Sequence, residues 1–157
     1  MTGSASESKR YCLRLLAYRG RSEQELTERL ARKGFAQDVI SATLQDLKKS
    51  GFIDDQALAV GLKRQACEGK LLGQGAARIF MYKRGLTREI VDAVLEYDED
   101  EELQTLRRLL EKRTRLSGEV RTPAERRKLW NFLLRRGYST SIIRRAIQEI
   151  DFDEEAS

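Results

Sequence analysis

Apolar residues return every three or four positions along most of the chain. Leu26 and Leu30 stand four apart, and Val39, Ile40, Leu44 and Leu47 resume the spacing a few residues on. Such spacing marks helices that each bury one stripe. Between the two stretches lies Arg32-Lys33-Gly34-Phe35. The pattern predicts a helix that stops at Gly34, because the residue just past a helix end takes positive φ and glycine does so without steric cost. The basic pair faces the negative end of the helix dipole. Phe35 folds back as an apolar plug, and the next helix starts at once.

The same pattern occurs three times. Gly34, Gly85 and Gly137 are spaced by 51 and 52 residues. Lys33, Arg84 and Arg136 precede them; Phe35, Leu86 and Tyr138 follow; Leu30, Met81 and Leu133 stand four before. Apolar positions five, six and ten residues after each glycine also correspond. A helix leads into each corner, over about 7–19, 54–68 and 100–115. Ser22 with Glu25 forms a capping box for the second helix of the first repeat. Thr122 followed by Pro123 starts the equivalent helix of the third. The expected architecture is all-α: three tandem three-helix, helix-turn-helix-like repeats, elongated and curved. The expected boundaries are a disordered N-terminus at 1–8, repeats at 9–50, 51–97 and 98–150, and an acidic tail at 151–157.

Composition narrows the function. The chain has 157 residues, one proline and no histidine. Without histidine there is no Ser-His or Cys-His nucleophile pair, and the commonest general base and metal ligand are missing. "GKLLGQG" at 69–75 is no phosphate loop, since its lysine comes too early and no Ser or Thr follows it; it reads as a loop entering a helix. Asp54 and Asp55 read as a helix cap rather than a metal site. Cys12 and Cys67 read as unpaired packing residues. Trp130, with Phe132 and Leu133, reads as core of the third repeat. The expectation is a non-enzymatic protein with no catalytic residue, metal or cofactor. There is no apolar run of about 18 residues and no apolar leader, which points to a cytoplasmic protein rather than a membrane one.

Charge points to a partner instead. Residues 103–148 carry thirteen Lys/Arg against three Asp/Glu, between the acidic run 98–102 and an acidic C-terminal stretch. Such a segment attracts an anionic partner. The candidate basic surface comprises Arg32, Lys33, Lys83, Arg84, Arg126, Arg127, Lys128, Arg135, Arg136, Arg144 and Arg145. A helix-turn-helix reader of duplex DNA needs polar or basic side chains at the start of its second helix. Only the third repeat supplies them, through Ser139, Thr140, Arg144 and Arg145. Modest, salt-sensitive phosphate binding is the weaker form of this reading. An adaptor for another acidic partner is a third reading.

Four stretches together carry a family resemblance: "RSEQELTERLARKGF" (21–35), "GFIDDQALAVGLKRQ" (51–65), "GQGAARIFMYKRGLTREIVDAVL" (73–95) and "FLLRRGYSTSIIRRAI" (132–147). In this order they resemble the RecX family, regulators of the bacterial RecA recombinase. The resemblance spans about residues 10–150. It implies tandem three-helix repeats. It also implies a monomer that binds the RecA filament on single-stranded DNA, in the filament groove, with non-specific contacts to single-stranded and also double-stranded DNA. Inhibition of ATP hydrolysis, strand exchange and LexA co-cleavage would follow. The chain departs from the family at the second corner, with Gln74 for Pro, Ala77 for Ile and Phe80 for Glu. There a softer helix start is expected, and any contact made through the family's Glu is in question.

Overall fold

A computed structural model describes residues 3–156, with side chains as far as Asp151. Among the described residues there are nine α-helices and no strand. They are α1 (Ala5–Tyr18), α2 (Glu23–Lys33), α3 (Gln37–Lys49), α4 (Asp55–Arg64), α5 (Gln74–Lys83), α6 (Arg88–Val94), α7 (Glu99–Ser117), α8 (Pro123–Arg135) and α9 (Thr140–Ala156). A π-helical turn, Gln65–Gly69, extends α4. The all-α expectation holds.

The helix ends follow from local chemistry. Gly34, Gly85 and Gly137 take φ of 96°, 81° and 90°. The residue after each glycine donates its N–H back to the carbonyl four before the glycine: Phe35 to Leu30, Leu86 to Met81 and Tyr138 to Leu133. This satisfies carbonyls the helix leaves open and turns the apolar residue inward. The expected capping box of Ser22 with Glu25 forms, and the expected start at Thr122 and Pro123 carries a capping box of its own with Glu125. Asp54 accepts from the N–H of Ala57 at 3.0 Å, as a cap should. Asp55 instead accepts from the N–H of Glu23, the first residue of α2, at 3.0 Å.

The ends of the chain differ from expectation. The stretch 1–8 was expected to be disordered, yet α1 begins at Ala5, with the Ser4 hydroxyl accepting from the N–H of Glu7. Ser8 is fully buried, and its hydroxyl bonds to that of Thr43 on α3. The helix reaches this far because Ser4 caps it and Ser8 anchors it. Met1 and Thr2 lie outside the described residues. At the other end, α9 continues through the acidic stretch to Ala156, and Ser157 lies outside the described residues.

The chain divides into two compact units whose borders are not those of the repeats. One comprises residues 1–62 and 81–94, the other 63–80 and 95–157, so the middle repeat contributes to both. The first unit centres on Cys12, Leu26, Leu30, Ile40, Leu44, Leu47 and Ile53. Burial pushes the Cys12 thiol up to about 11, so it is a packing residue rather than a nucleophile. The second unit centres on leucines of α7 and α8, with Tyr138, Ile142, Ile143 and Ala146 from the corner and α9. Trp130 is only partly buried against that core.

Why the middle repeat is shared becomes clear at the corners. In the second unit, Gly73 donates its N–H to the Arg136 carbonyl at 2.8 Å, and Gly75 donates to the Gly137 carbonyl at 3.0 Å. The third corner is thus seated on the start of α5. A Cβ on Gly137 would lie 2.2 Å from the Ala76 nitrogen, and one on Gly73 2.5 Å from the Gly137 carbonyl carbon. In the first unit, Gly85 occupies the same relation to the start of α2, where a Cβ would meet the Ser22 hydroxyl at 2.6 Å.

Two alanine substitutions separate local strain from docking. Gly51 has φ of 78° but open space around it. Gly51→Ala is expected to cost about 1–2 kcal/mol, the penalty of a left-handed non-glycine residue. Gly137→Ala is expected to exceed about 3 kcal/mol, because a packed backbone must also move. Urea unfolding followed by circular dichroism measures both. Equal costs would show that the corner is not closely seated.

Candidate partner-binding surface

The eleven candidate cations fall into two groups once their partners are known. In the first unit, Arg84 is turned inward, with 18% of its side chain exposed. Its Nε donates to Glu25 Oε1 at 3.3 Å and its Nη2 to the Gly20 carbonyl at 2.8 Å. Arg19 holds the other oxygen of the same carboxylate at 2.9 Å. Burial alone would raise the pKa of Glu25, but the Ser22 N–H, Arg19 and Arg84 outweigh it, and the carboxyl titrates below its ordinary value. Nearby, burial and the Arg19, Arg29 and Arg84 charges lower the pKa of Arg21 despite Glu25. Lys33 places its ammonium 5.5 Å from the centre of the Tyr11 ring. Arg32 and Lys83 are exposed and engage no partner among the described residues.

The second unit repeats the division. Arg136 donates to the Lys70 carbonyl and lies 6.0 Å from the centre of the Phe132 ring. Beside it the Tyr138 hydroxyl donates to the Leu71 carbonyl at 2.7 Å. Arg84 and Arg136 are therefore equivalent residues with equivalent work: each ties its corner to the loop before the preceding repeat's second helix. Arg126 forms a two-bond pair with Asp151 at 2.8 and 3.1 Å, and Arg145 pairs with Glu99 at 3.1 Å. These pairs are exposed and of the weak, exchangeable kind. Arg127, Lys128, Arg135 and Arg144 are exposed without a partner among the described residues.

Sequence reasoning passed over a further set. Arg108, Lys112 and Arg115 stand at i, i+4 and i+7 on α7, all exposed and none paired among the described residues. With Glu68, Leu71, Glu111 and Leu116 they line a depression of about 560 Å³. Their spacing on one helix was the available signal.

The second corner accommodates its unusual residues. Gln74 begins α5 and donates its N–H to Glu102 Oε1 of α7 at 3.4 Å, so a carboxylate from another helix caps it. Burial raises the pKa of Glu102, against the pull of the Gln74 and Ser139 N–H groups. Ala77 is fully buried. Phe80 is partly buried, with the Lys70 ammonium 4.7 Å from its ring centre.

Among the described residues no group of three or more acidic, cysteine or histidine side chains could hold a metal ion. No helix among them is long and apolar enough to cross a membrane. What the fold does present is two sets of unpaired cations, each on a compact helical unit built from tandem corners. The class is an all-α helical-repeat protein with exposed cations on both units. Family models place it further: one described as the first RecX three-helix domain matches residues 9–47, and one described as the third matches 99–147. The chain is 34% identical to the regulatory protein RecX of Halorhodospira halophila, over 98% of this chain and 94% of that one. It is also 34% identical to that of Thermotoga maritima, over 96% and 89%. The fold matches the crystal structure of RecX from Lactobacillus salivarius with a TM-score of 0.81, at 23% identity, covering 94% of this chain and 97% of that one. The chain belongs to the RecX family of regulatory proteins.

Neighbouring cations should respond differently to neutralisation. Arg84→Gln is expected to cost about 2 kcal/mol, because it breaks a charge-assisted pair and a carbonyl bond in a largely buried place. Lys83→Gln is expected to stay within about 0.5 kcal/mol. Acid adds a sign test. Because the pKa of Glu25 is lowered on folding, its stabilisation is present above the ordinary carboxylate value and is lost as pH falls through the lowered one. Thermal unfolding of Glu25→Gln should show a clear loss at pH 7 and a much smaller one at pH 3. A loss of the same size at both would mean that the charge on Glu25 contributes nothing.

Proposed function

We propose that this protein restrains the RecA recombinase by binding the RecA filament on single-stranded DNA, seated in the filament groove. Binding lowers ATP hydrolysis, strand exchange and LexA co-cleavage. The observation that carries the reading is membership of the RecX family across nearly the whole chain. The unpaired cations support it, since a filament on DNA offers phosphates and acidic side chains to meet them. The protein works by contact, as a cytoplasmic monomer without cofactor, catalytic residue or metal. The contacting residues are Arg32 and Lys83 in the first unit and Arg127, Lys128, Arg135 and Arg144 in the second. Arg126 and Arg145 join them by exchanging their exposed carboxylates for the partner. Lys33 contributes least, being held against Tyr11.

A helix-turn-helix protein that reads duplex DNA without RecA is the other reading. One feature at the start of α9 weighs against it: the Ser139 and Ser141 hydroxyls lie 3.2 Å apart, bonded to one another. Thr140, Arg144 and Arg145 make a thin reading head, where each good base contact supplies about 1–3 kcal/mol of discrimination.

ATP hydrolysis by RecA on single-stranded DNA tests the proposal, with this protein titrated upward from well below one per RecA. Inhibition at substoichiometric amounts is expected. Lys83→Glu and Arg135→Glu should each raise the half-inhibiting concentration by roughly three- to tenfold with helicity unchanged. No inhibition by the folded wild type, with tight sequence-selective duplex binding instead, would transfer the function to the other reading.

A further inference from the structure

The second unit holds a groove between α8 and α9. Pro123, Arg126, Arg127 and Trp130 of α8 form one wall; Arg144, Ile147 and Gln148 of α9 form the other, around a volume of about 290 Å³. Its lining is apolar, with Trp130 the largest side chain in it. Arg126 is neutralised by Asp151. Arg127 and Arg144, one on each wall, carry charge with no partner among the described residues.

We propose that this groove receives one unstacked base of a single-stranded nucleic acid on Trp130, with Arg127 and Arg144 holding the flanking phosphates. This rests on the reading of the protein as a partner of a filament on single-stranded DNA, and assigns a place where it touches the strand. Four considerations favour this occupant. Aromatic stacking between cations is the recurring means of gripping single strands without regard to sequence. Both walls are helices whose backbone groups are already bonded, so an extended peptide would find no strand edge to pair with. The volume suits a single planar group, whereas a docked helix needs anchors spread over two turns. Gln148 offers an amide that can donate to or accept from the edge of any base.

Trp130 is the only tryptophan in the chain, so its emission reports on this groove alone. The full-length protein is titrated with a thymidine oligomer of about 12 nucleotides, with an abasic oligomer of equal length and charge, and with a glutamate-rich peptide. The thymidine oligomer should quench the emission saturably, while the other two leave it unchanged. The double variant Arg127→Gln/Arg144→Gln, which alters exposed residues only, should raise the half-saturating concentration roughly tenfold and flatten the salt slope by about 0.7 per arginine. Trp130→Leu, checked for helicity, should weaken binding of the thymidine oligomer roughly tenfold, followed by anisotropy of a labelled strand. Equal quenching by the abasic oligomer or by the peptide would overturn the proposal, as would a double variant that binds like wild type. RecA inhibition is measured alongside. Inhibition that persists when the groove fails these tests overturns the groove alone, and quenching that persists without inhibition overturns the regulatory reading alone.

Discussion

The constraint on which the structure depends is the seating of an Arg-Gly corner on the start of a helix from the preceding repeat. A repeat of this length buries too little surface to be stable by itself. The corner solves this by backbone contact. Glycine at positive φ ends one helix, and the absence of a Cβ lets that backbone approach the start of the preceding repeat's second helix closely. In the second unit Gly73 and Gly75 then give their N–H groups to the corner's carbonyls. Orphan donors at a helix N-terminus meet the carbonyls of a helix C-terminus, so both satisfy groups that a helix cannot pair internally. The arginine before the glycine adds a side-chain tie to the same loop, through Gly20 in the first unit and Lys70 in the second.

This division of labour decides how the positive charge is used. Lys83 and Arg84 are sequence neighbours, as are Arg135 and Arg136, but consecutive residues at a helix end point in different directions. The second of each pair turns toward the preceding repeat, and the first stays in solvent. The basic pair is therefore a structural residue beside a surface residue. In the first repeat the corresponding Lys33 lies against Tyr11 instead. Loss of Arg84 removes a tie that holds the corner, whereas loss of Lys83 leaves that tie in place.

Much of the fold was legible in the chain. The three positive-φ glycines, the plugs Phe35, Leu86 and Tyr138, the capping box at Ser22 and the helix start at Thr122 all follow from spacing, because local hydrogen bonding and apolar periodicity determine them. What escaped was non-local or masked by composition. Arg84 and Glu25 are 59 residues apart, and Arg136 and Lys70 are 66 apart, distances at which a single sequence carries no pairing signal. Gly73 and Gly75 read as loop because their requirement is a neighbouring backbone, not a turn. Ser4 was passed over because small polar residues near a terminus resemble a disordered segment, although Ser4 with Glu7 has the spacing of a cap. The basic surface was legible as a charge imbalance but not residue by residue, since exposure and pairing depend on partners brought in by the fold.

The chain belongs to a family of regulatory proteins, and the corners explain how each unit of a short, highly charged chain holds its helices together. Amide hydrogen exchange at Gly73 and Gly75 tests the central claim most directly. Both residues precede or begin α5, where helix amides have no internal partner and an open N-terminus exchanges quickly. Seating on Arg136 and Gly137 predicts protection comparable to the core of α8, lost together with that of the third corner. Rapid exchange at both glycines, with α8 still protected, would contradict the account.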